Sequence, residues 1–212
     1  MKKILFIVSV LAILLTASSA MALLDTSFDL SVGNTSTPGI SGFPSPYATV
    51  ALKATDATHL TVTFTGIDTH AGFNYDLGRT GAVALNLITG VTLSSITTAG
   101  FVSGGAGNQD GFGSFNFSLD KASGPGSNDN FASIEFILTR ASGSFDSLGD
   151  VLTPNAAGYI ASAHIVVNGT GIDQTTGYAA NGDGTTLVPE PVTMILLGLG
   201  LLGLGITVRK RS

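Results

Sequence analysis

Through the middle of this chain, apolar and polar residues alternate with a period of two. In 59–65 (HLTVTFT), Leu60, Val62 and Phe64 share one parity, and His59, Thr61, Thr63 and Thr65 share the other. In 113–120 (GSFNFSLD), Phe115, Phe117 and Leu119 alternate with Ser114, Asn116 and Ser118. In 133–139 (SIEFILT), Ile134, Phe136 and Leu138 oppose Glu135 and Thr139. Each pattern predicts a strand with one face on a core and one toward solvent. Weaker patterns predict strands at 28–32, 48–54, 82–87, 91–96 and 159–167. Phe64, Phe115, Phe117, Phe136 and Leu138 are expected in one core, because each lies on the apolar parity of its strand.

The gaps between these runs carry turn residues: Gly33-Asn34, 41–46, 104–113, 123–130 and 182–184. Short strands separated by such breaks predict an all-β fold, an antiparallel β-sandwich of jelly-roll-like type, over residues 23–178. One helical turn is expected at 147–152, where Ser147 and Asp150 have capping-box spacing and Leu148, Val151 and Leu152 fall on one side. Periodicity fades after residue 168, and 179–188 read as a linker.

The two ends break the pattern. Lys2 and Lys3 precede an apolar run from Ile4 to Leu15, and Ala20 and Ala22 stand at the −3 and −1 positions of a signal-peptidase site. The run is shorter than the roughly 20 residues of a membrane span, so 1–22 read as a cleaved signal peptide with Leu23 as the new N-terminus. At the other end, Pro189-Glu190-Pro191 cannot enter a helix interior or a central strand. Residues 192–208 then form an uncharged run of about 26 Å as a helix, enough for one short C-terminal transmembrane helix. Arg209, Lys210 and Arg211 follow and hold that end in the cytoplasm by the positive-inside rule. Both ends then lie inside, and the domain between them is exported.

Charge and cysteine content narrow the partners. Residues 23–188 hold four basic and thirteen acidic side chains, a net charge of −9. Nucleic acid is excluded as a partner, because phosphate binding needs clustered Lys and Arg. With no cysteine in the chain, the exported domain has no disulfide staple and no thiolate chemistry, so its core rests on burial.

The tail as a whole resembles the PEP-CTERM sorting signal of Gram-negative bacteria, a motif also catalogued as an ice-binding protein C-terminal domain. VPEP at 188–191, LLGLGLLGLG at 196–205 and RKR at 209–211 carry the resemblance. It implies recognition by exosortase, a membrane enzyme of cysteine-transpeptidase type, with Pro189, Glu190 and Pro191 as the recognition and processing element. It also implies a transient stay in the inner membrane, then delivery to the cell surface or medium, often beside exopolysaccharide. No Leu-Pro-x-Thr-Gly sortase signal occurs. Segments of the body (GFGSFNFSLD, the stretch 131–165, and TTGYA) also resemble a recurring type of PEP-CTERM exoprotein, which implies an address and not a reaction.

Candidate chemistry in the body is sparse. His59, His70 and His164 have no ligand-pair spacing, so no metal or other cofactor is expected. A triad of His70 with Asp68 or Asp76 would need a distant serine, and no Gly-x-Ser-x-Gly elbow occurs. Glu135 is the only glutamate between 23 and 188, which is poor ground for a pair of glycosidase carboxylates. The turns at 108–111, 127–130 and 181–184 gather oxygens that suit calcium, but plain Asx-Gly turns look the same. Asn34, Asn116 and Asn168 begin Asn-x-Ser/Thr sequons. Two functions compete: a non-enzymatic surface or matrix protein, and a secreted hydrolase with a dispersed site. Exposed Tyr47, Tyr75 and Tyr178 on one face would favour glycan stacking and the first.

Overall fold

The computed structural model describes residues 23–36, 39–124, 130–169 and 175–182. Within them lie thirteen strands: β1 (Asp25–Gly33), β2 (Ala48–Ala54), β3 (His59–Gly66), β4 (Phe73–Leu77), β5 (Val83–Leu85), β6 (Val91–Ile96), β7 (Phe101–Ser103), β8 (Gly107–Gln109), β9 (Gly113–Phe115), β10 (Phe117–Lys121), β11 (Ser133–Arg140), β12 (Ala161–Gly169) and β13 (Thr175–Asn181). Among these residues the one helical element is a 3₁₀ turn, Leu148–Asp150. It stands where Ser147 and Asp150 predicted it. The Asp150 carboxylate accepts from the Ser147 N–H at 2.9 Å, and Val151 and Leu152 are buried.

The all-β, antiparallel expectation holds. Eleven strands form one sheet, ordered β6-β11-β3-β2-β1-β13-β12-β5-β10-β7, with β4 on the flank of β12, while β8 and β9 make a separate hairpin. The ladder is continuous and does not divide into two sheets, because β1 pairs with β2 on one side and β13 on the other. It nearly closes on itself. Phe136 of β11 and Phe117 of β10 lie near opposite ends of the strand order, yet their rings are 5.4 Å apart. Phe136 also stacks on Phe64 at 6.3 Å. Each fully buried Phe contributes about 1.5–3 kcal/mol.

Phe64, Phe117, Phe136 and Leu138 fall in the main core as expected, and Phe115 does not. Phe115 packs in a second cluster with Phe112, Ala84 and Ala180, where the β8–β9 hairpin covers the other face of the sheet. The predicted strand 113–120 is two strands with a bend at Asn116. The bend is held by the Asn116 amide, which accepts from the Leu87 N–H at 2.8 Å and donates to the Leu87 carbonyl at 2.7 Å. The side chain thereby makes the two bonds a paired strand residue would make.

The linker expected from Ala179 begins later. Ala179, Ala180 and Asn181 belong to β13, and all three are buried. Ala179 faces the main core and Ala180 the second cluster, so both faces of β13 are covered. A strand buried on both faces has no reason to alternate. Gly177 within it is required by close approach, since a Cβ there would meet Asn34 Oδ1 at 2.5 Å. That approach lets Asn34 Oδ1 accept from the Tyr178 N–H at 2.9 Å.

The strand order ends at β6 and β7, while β4 has β12 as its one strand neighbour among the described residues. Neither β6 nor β7 invites pairing with a second sheet. The register of β6 on β11 slips at Ser94, a bulge, and β7 has three residues.

Candidate functional site

β1 and β13 are antiparallel neighbours, with Leu30 opposite Asn181 and Gly33 opposite Ala179. Asn181 sits opposite Leu30, so the end of β13 lies beside the middle of β1, five residues or about 17 Å of extended strand from Asp25. The chain joins its outer segments at these two places, before Leu23 and after Gly182. At the first exit the Leu24 N–H donates to the Phe145 carbonyl at 2.9 Å, and the Leu24 carbonyl accepts from the Ala54 N–H at 2.7 Å. At the other exit, Asn181 Oδ1 accepts from the N–H groups of Ile160 and Ala161 at 3.0 and 3.1 Å. The sorting residues Pro189, Glu190, Pro191, Arg209, Lys210 and Arg211, the candidate span 192–208 and the signal-peptidase residues Ala20 and Ala22 lie outside the described residues. Among the described residues no helix is long and apolar enough to cross a membrane.

Several of the body's titratable groups are engaged locally. Asp56 sits in the β2–β3 turn, where its Oδ1 accepts from the N–H groups of Thr58 and His59 at 2.7 and 2.9 Å. The Thr58 backbone bond, then the contact with the His59 ring, hold the Asp56 carboxyl down at about 2. Thr58, His59 and Asp56 have the residue types of a hydroxyl–imidazole–carboxylate triad. The geometry is wrong for one. Thr58 Oγ1 lies 3.2 Å from His59 Nδ1, and Asp56 Oδ2 lies 2.9 Å from the same nitrogen. A relay needs the hydroxyl and the acid on different ring nitrogens.

His164 Nδ1 lies 3.1 Å from the Thr80 carbonyl, an acceptor, so that nitrogen carries the proton. The ring stacks on Tyr178 at 4.4 Å. Burial holds the His164 imidazole below its ordinary value, the Thr80 bond opposes this, and Arg79 adds to the depression. Burial raises the Tyr178 phenol, with help from Asp110 and Asp120. His70 stacks on Phe73 and meets the Tyr75 ring edge, both at 5.1 Å. Asp76, considered above as its triad partner, binds Asn74 and Asn168 instead, at 3.1 and 2.6 Å. Burial raises the Asp76 carboxyl against those two bonds. Glu135 is half-buried and accepts from Thr63 Oγ1 at 3.3 Å.

The tyrosine platform fails. Tyr47 and Tyr75 are 2% and 1% exposed, their rings 5.3 Å apart, with hydroxyls bonded to the Phe43 and Pro44 carbonyls. Burial, and then Tyr47, push the Tyr75 phenol up to about 12. Alternation marks these residues as strand or turn residues but does not say which face is outside. The sequon asparagines are also engaged: Asn34 with Tyr178, Asn116 with Leu87, Asn168 with Asp76. Among the described residues no three His, Cys, Asp or Glu side chains gather to hold a metal. Of the turns considered for calcium, 127–129 and 183–184 lie outside the described residues. A groove of about 400 Å³ lies between β6 and β7, lined by Leu87, Ile88, Val91, Leu93, Asn116 and Phe117 among others, with no charged lining residue.

The chain carries a PEP-CTERM protein-sorting motif at residues 187–211. It matches no curated protein and no solved structure. The PEP-CTERM motif marks an exported protein addressed to exosortase, which handles it at the membrane and passes it toward the cell surface. The matched span contains Pro189, Glu190 and Pro191, the apolar run and the basic end, in the order read from sequence.

Proposed function

We propose that this protein is a non-enzymatic surface or matrix component, a β body delivered outside the cell and processed through its PEP-CTERM tail. Residues 1–22 act as the cleaved signal peptide, with Ala20 and Ala22 at the cut. Residues 192–208 act as a temporary membrane helix, with Arg209, Lys210 and Arg211 inside. Pro189, Glu190 and Pro191 present extended backbone to exosortase at the outer face. The observation that carries this reading is the PEP-CTERM motif at 187–211, which follows a β body whose last described strand ends at Asn181.

We read the curled sheet as sandwich-like, its two halves meeting through Phe117 and Phe136. The setting we propose is beside exopolysaccharide. Contact there would use the Gly, Ser, Thr and Asn turns, since Tyr47 and Tyr75 are enclosed. No observation among the described residues favours the hydrolase.

The test replaces Pro189, Glu190 and Pro191 together with alanine, and compares fractions of wild type and variant by mass spectrometry of the C-terminus. Insertion persists in the variant, because no apolar or basic residue is lost. Release ends, because the recognition element is gone and a helix can extend through the site. Wild-type surface protein that still carried Arg209–Ser212 would make the tail a permanent anchor and overturn the proposal.

A further inference from the structure

The chain contains two Asn-Gly pairs, Asn168–Gly169 and Asn181–Gly182. A glycine after asparagine has no Cβ to keep its backbone nitrogen from the side-chain carbonyl carbon. Attack there closes an imide and expels ammonia. The fold treats the two pairs differently. Asn181 is 3% exposed, and its Oδ1 is fixed by the N–H groups of Ile160 and Ala161 at 3.0 and 3.1 Å. Its Nδ2, the nitrogen that would leave, donates to the Gly182 carbonyl at 3.3 Å, a group with no proton to give. Asn168 is half-buried one residue from the end of β12, and Gly169 is exposed. Asn168 Nδ2 donates to Asp76 Oδ2 at 2.6 Å, across the ladder between β12 and β4. Asn168 Oδ1 accepts from Asn130 Nδ2 at 3.3 Å, a donor on the oxygen that gathers charge as Cγ turns tetrahedral. Burial raises the Asp76 carboxyl against its bonds from Asn74 and Asn168, so it keeps a proton more readily than an open carboxylate. An acid at hydrogen-bond distance from a leaving nitrogen is placed for general acid catalysis.

We infer that Asn168–Gly169 is a self-modification site at which Asp76 hands a proton to the departing ammonia, while the fold locks Asn181–Gly182. The Gly169 nitrogen bonds to Asn168 Cγ and gives its own proton to water. The Cγ–Nδ2 bond breaks, and Nδ2 leaves as ammonia with the proton from Asp76, which water restores. A second water then opens the imide to aspartate or isoaspartate. Either product sets a new carboxylate beside Asp76, and like charges at that spacing repel. β4 has β12 as its one strand neighbour among the described residues, so the repulsion loosens this flank and spares the main ladder. This inference is independent of the sorting reading.

The test incubates the full-length chain in mild detergent, folded or in urea, and follows both pairs by peptide mapping for loss of ammonia and gain of isoaspartate. In urea the two pairs should convert alike. In the folded chain Asn168 should convert at least about 10-fold faster than Asn181, whose amide must first undock. Asp76→Asn keeps the size and a hydrogen-bonding partner but has no acid proton, and should slow Asn168 about 10-fold or more. Asn181 is the folding control. If it converts in that variant as it does in urea, the variant has unfolded and Asp76→Thr takes its place with the same expectation. Equal conversion of the two pairs in the folded chain would overturn the lock. An unchanged Asn168 rate in the folded Asp76 variant would overturn the proton transfer. Asn168→Asp, which carries the product carboxylate, should speed amide hydrogen exchange in β4 about 10-fold and leave β3 unchanged. Unchanged exchange in β4 would overturn the loosening.

Discussion

Pro189 and Asn181 stand eight residues apart and belong to different kinds of information. Asn181 matters through its partners: it is 3% exposed, and its side-chain oxygen satisfies the N–H groups of Ile160 and Ala161, about twenty residues back in the chain. Pro189 matters through its neighbours in line. The proline, the glutamate, the apolar run and the basic end form a signal readable in extended chain. The long-range partners of the body are therefore settled only on folding, and the tail motif is read residue by residue in the sequence.

The largest test of that contrast is transplantation. Residues 183–212 moved onto an unrelated exported domain should carry sorting with them, all or none, as read by fractionation. A transplanted tail that is neither held nor processed would mean that the body takes part in recognition. Next is the core. Phe136 is fully buried between Phe64 and Phe117, so Phe136→Ala should cost about 3–5 kcal/mol in urea unfolding. The protein that survives should still be processed at its tail. A loss under about 1 kcal/mol would contradict the packing between the two halves of the sheet.

A sharper test sits at the border. Asn181→Ala strands two buried N–H groups and should cost about 2–3 kcal/mol. If 179–188 were linker throughout, the same change would cost nothing measurable. The smallest effect is at Asp56. Its folded carboxyl titrates at about 2, below the ordinary 3.8, so the turn's contribution is full above pH 3.8 and is lost as pH falls through about 2. Thermal melts of wild type and Asp56→Ala should differ slightly at pH 6 and converge near pH 2. A difference that grows on acidification would reverse the sign and disprove the arrangement.

Some strands were legible because half-burial writes itself into sequence. β2 and β6 fall where alternation or apolar spacing put them, and β3 and β11 each run one residue beyond their predicted runs. β4 was equally legible, with Phe73, Tyr75 and Leu77 at every second position, and was passed over. β13 was not legible, since TTGYAAN is small, mixed and covered on both faces. β7 and β8, three residues each, are too short for any period to appear. At the candidate site, the Asp56–Thr58–His59 turn could have been suspected from Asp-x-Thr-His, but only coordinates show both partners on one ring nitrogen.

Alone, the sequence determined the all-β class, the inward parity of β3 and β11, the acidic and cysteine-free character of the body, and the sorting tail. Each of these depends on composition or on neighbours in line. Tertiary structure decided that the ladder runs unbroken through β1 and β13, and that Phe115 leaves the core of Phe117. It also enclosed Tyr47 and Tyr75 and set the end of β13 opposite Leu30, in the middle of β1. These follow from pairings between residues far apart in the chain, where register and edge choice are settled by the sum of many weak contacts. No local period records that sum.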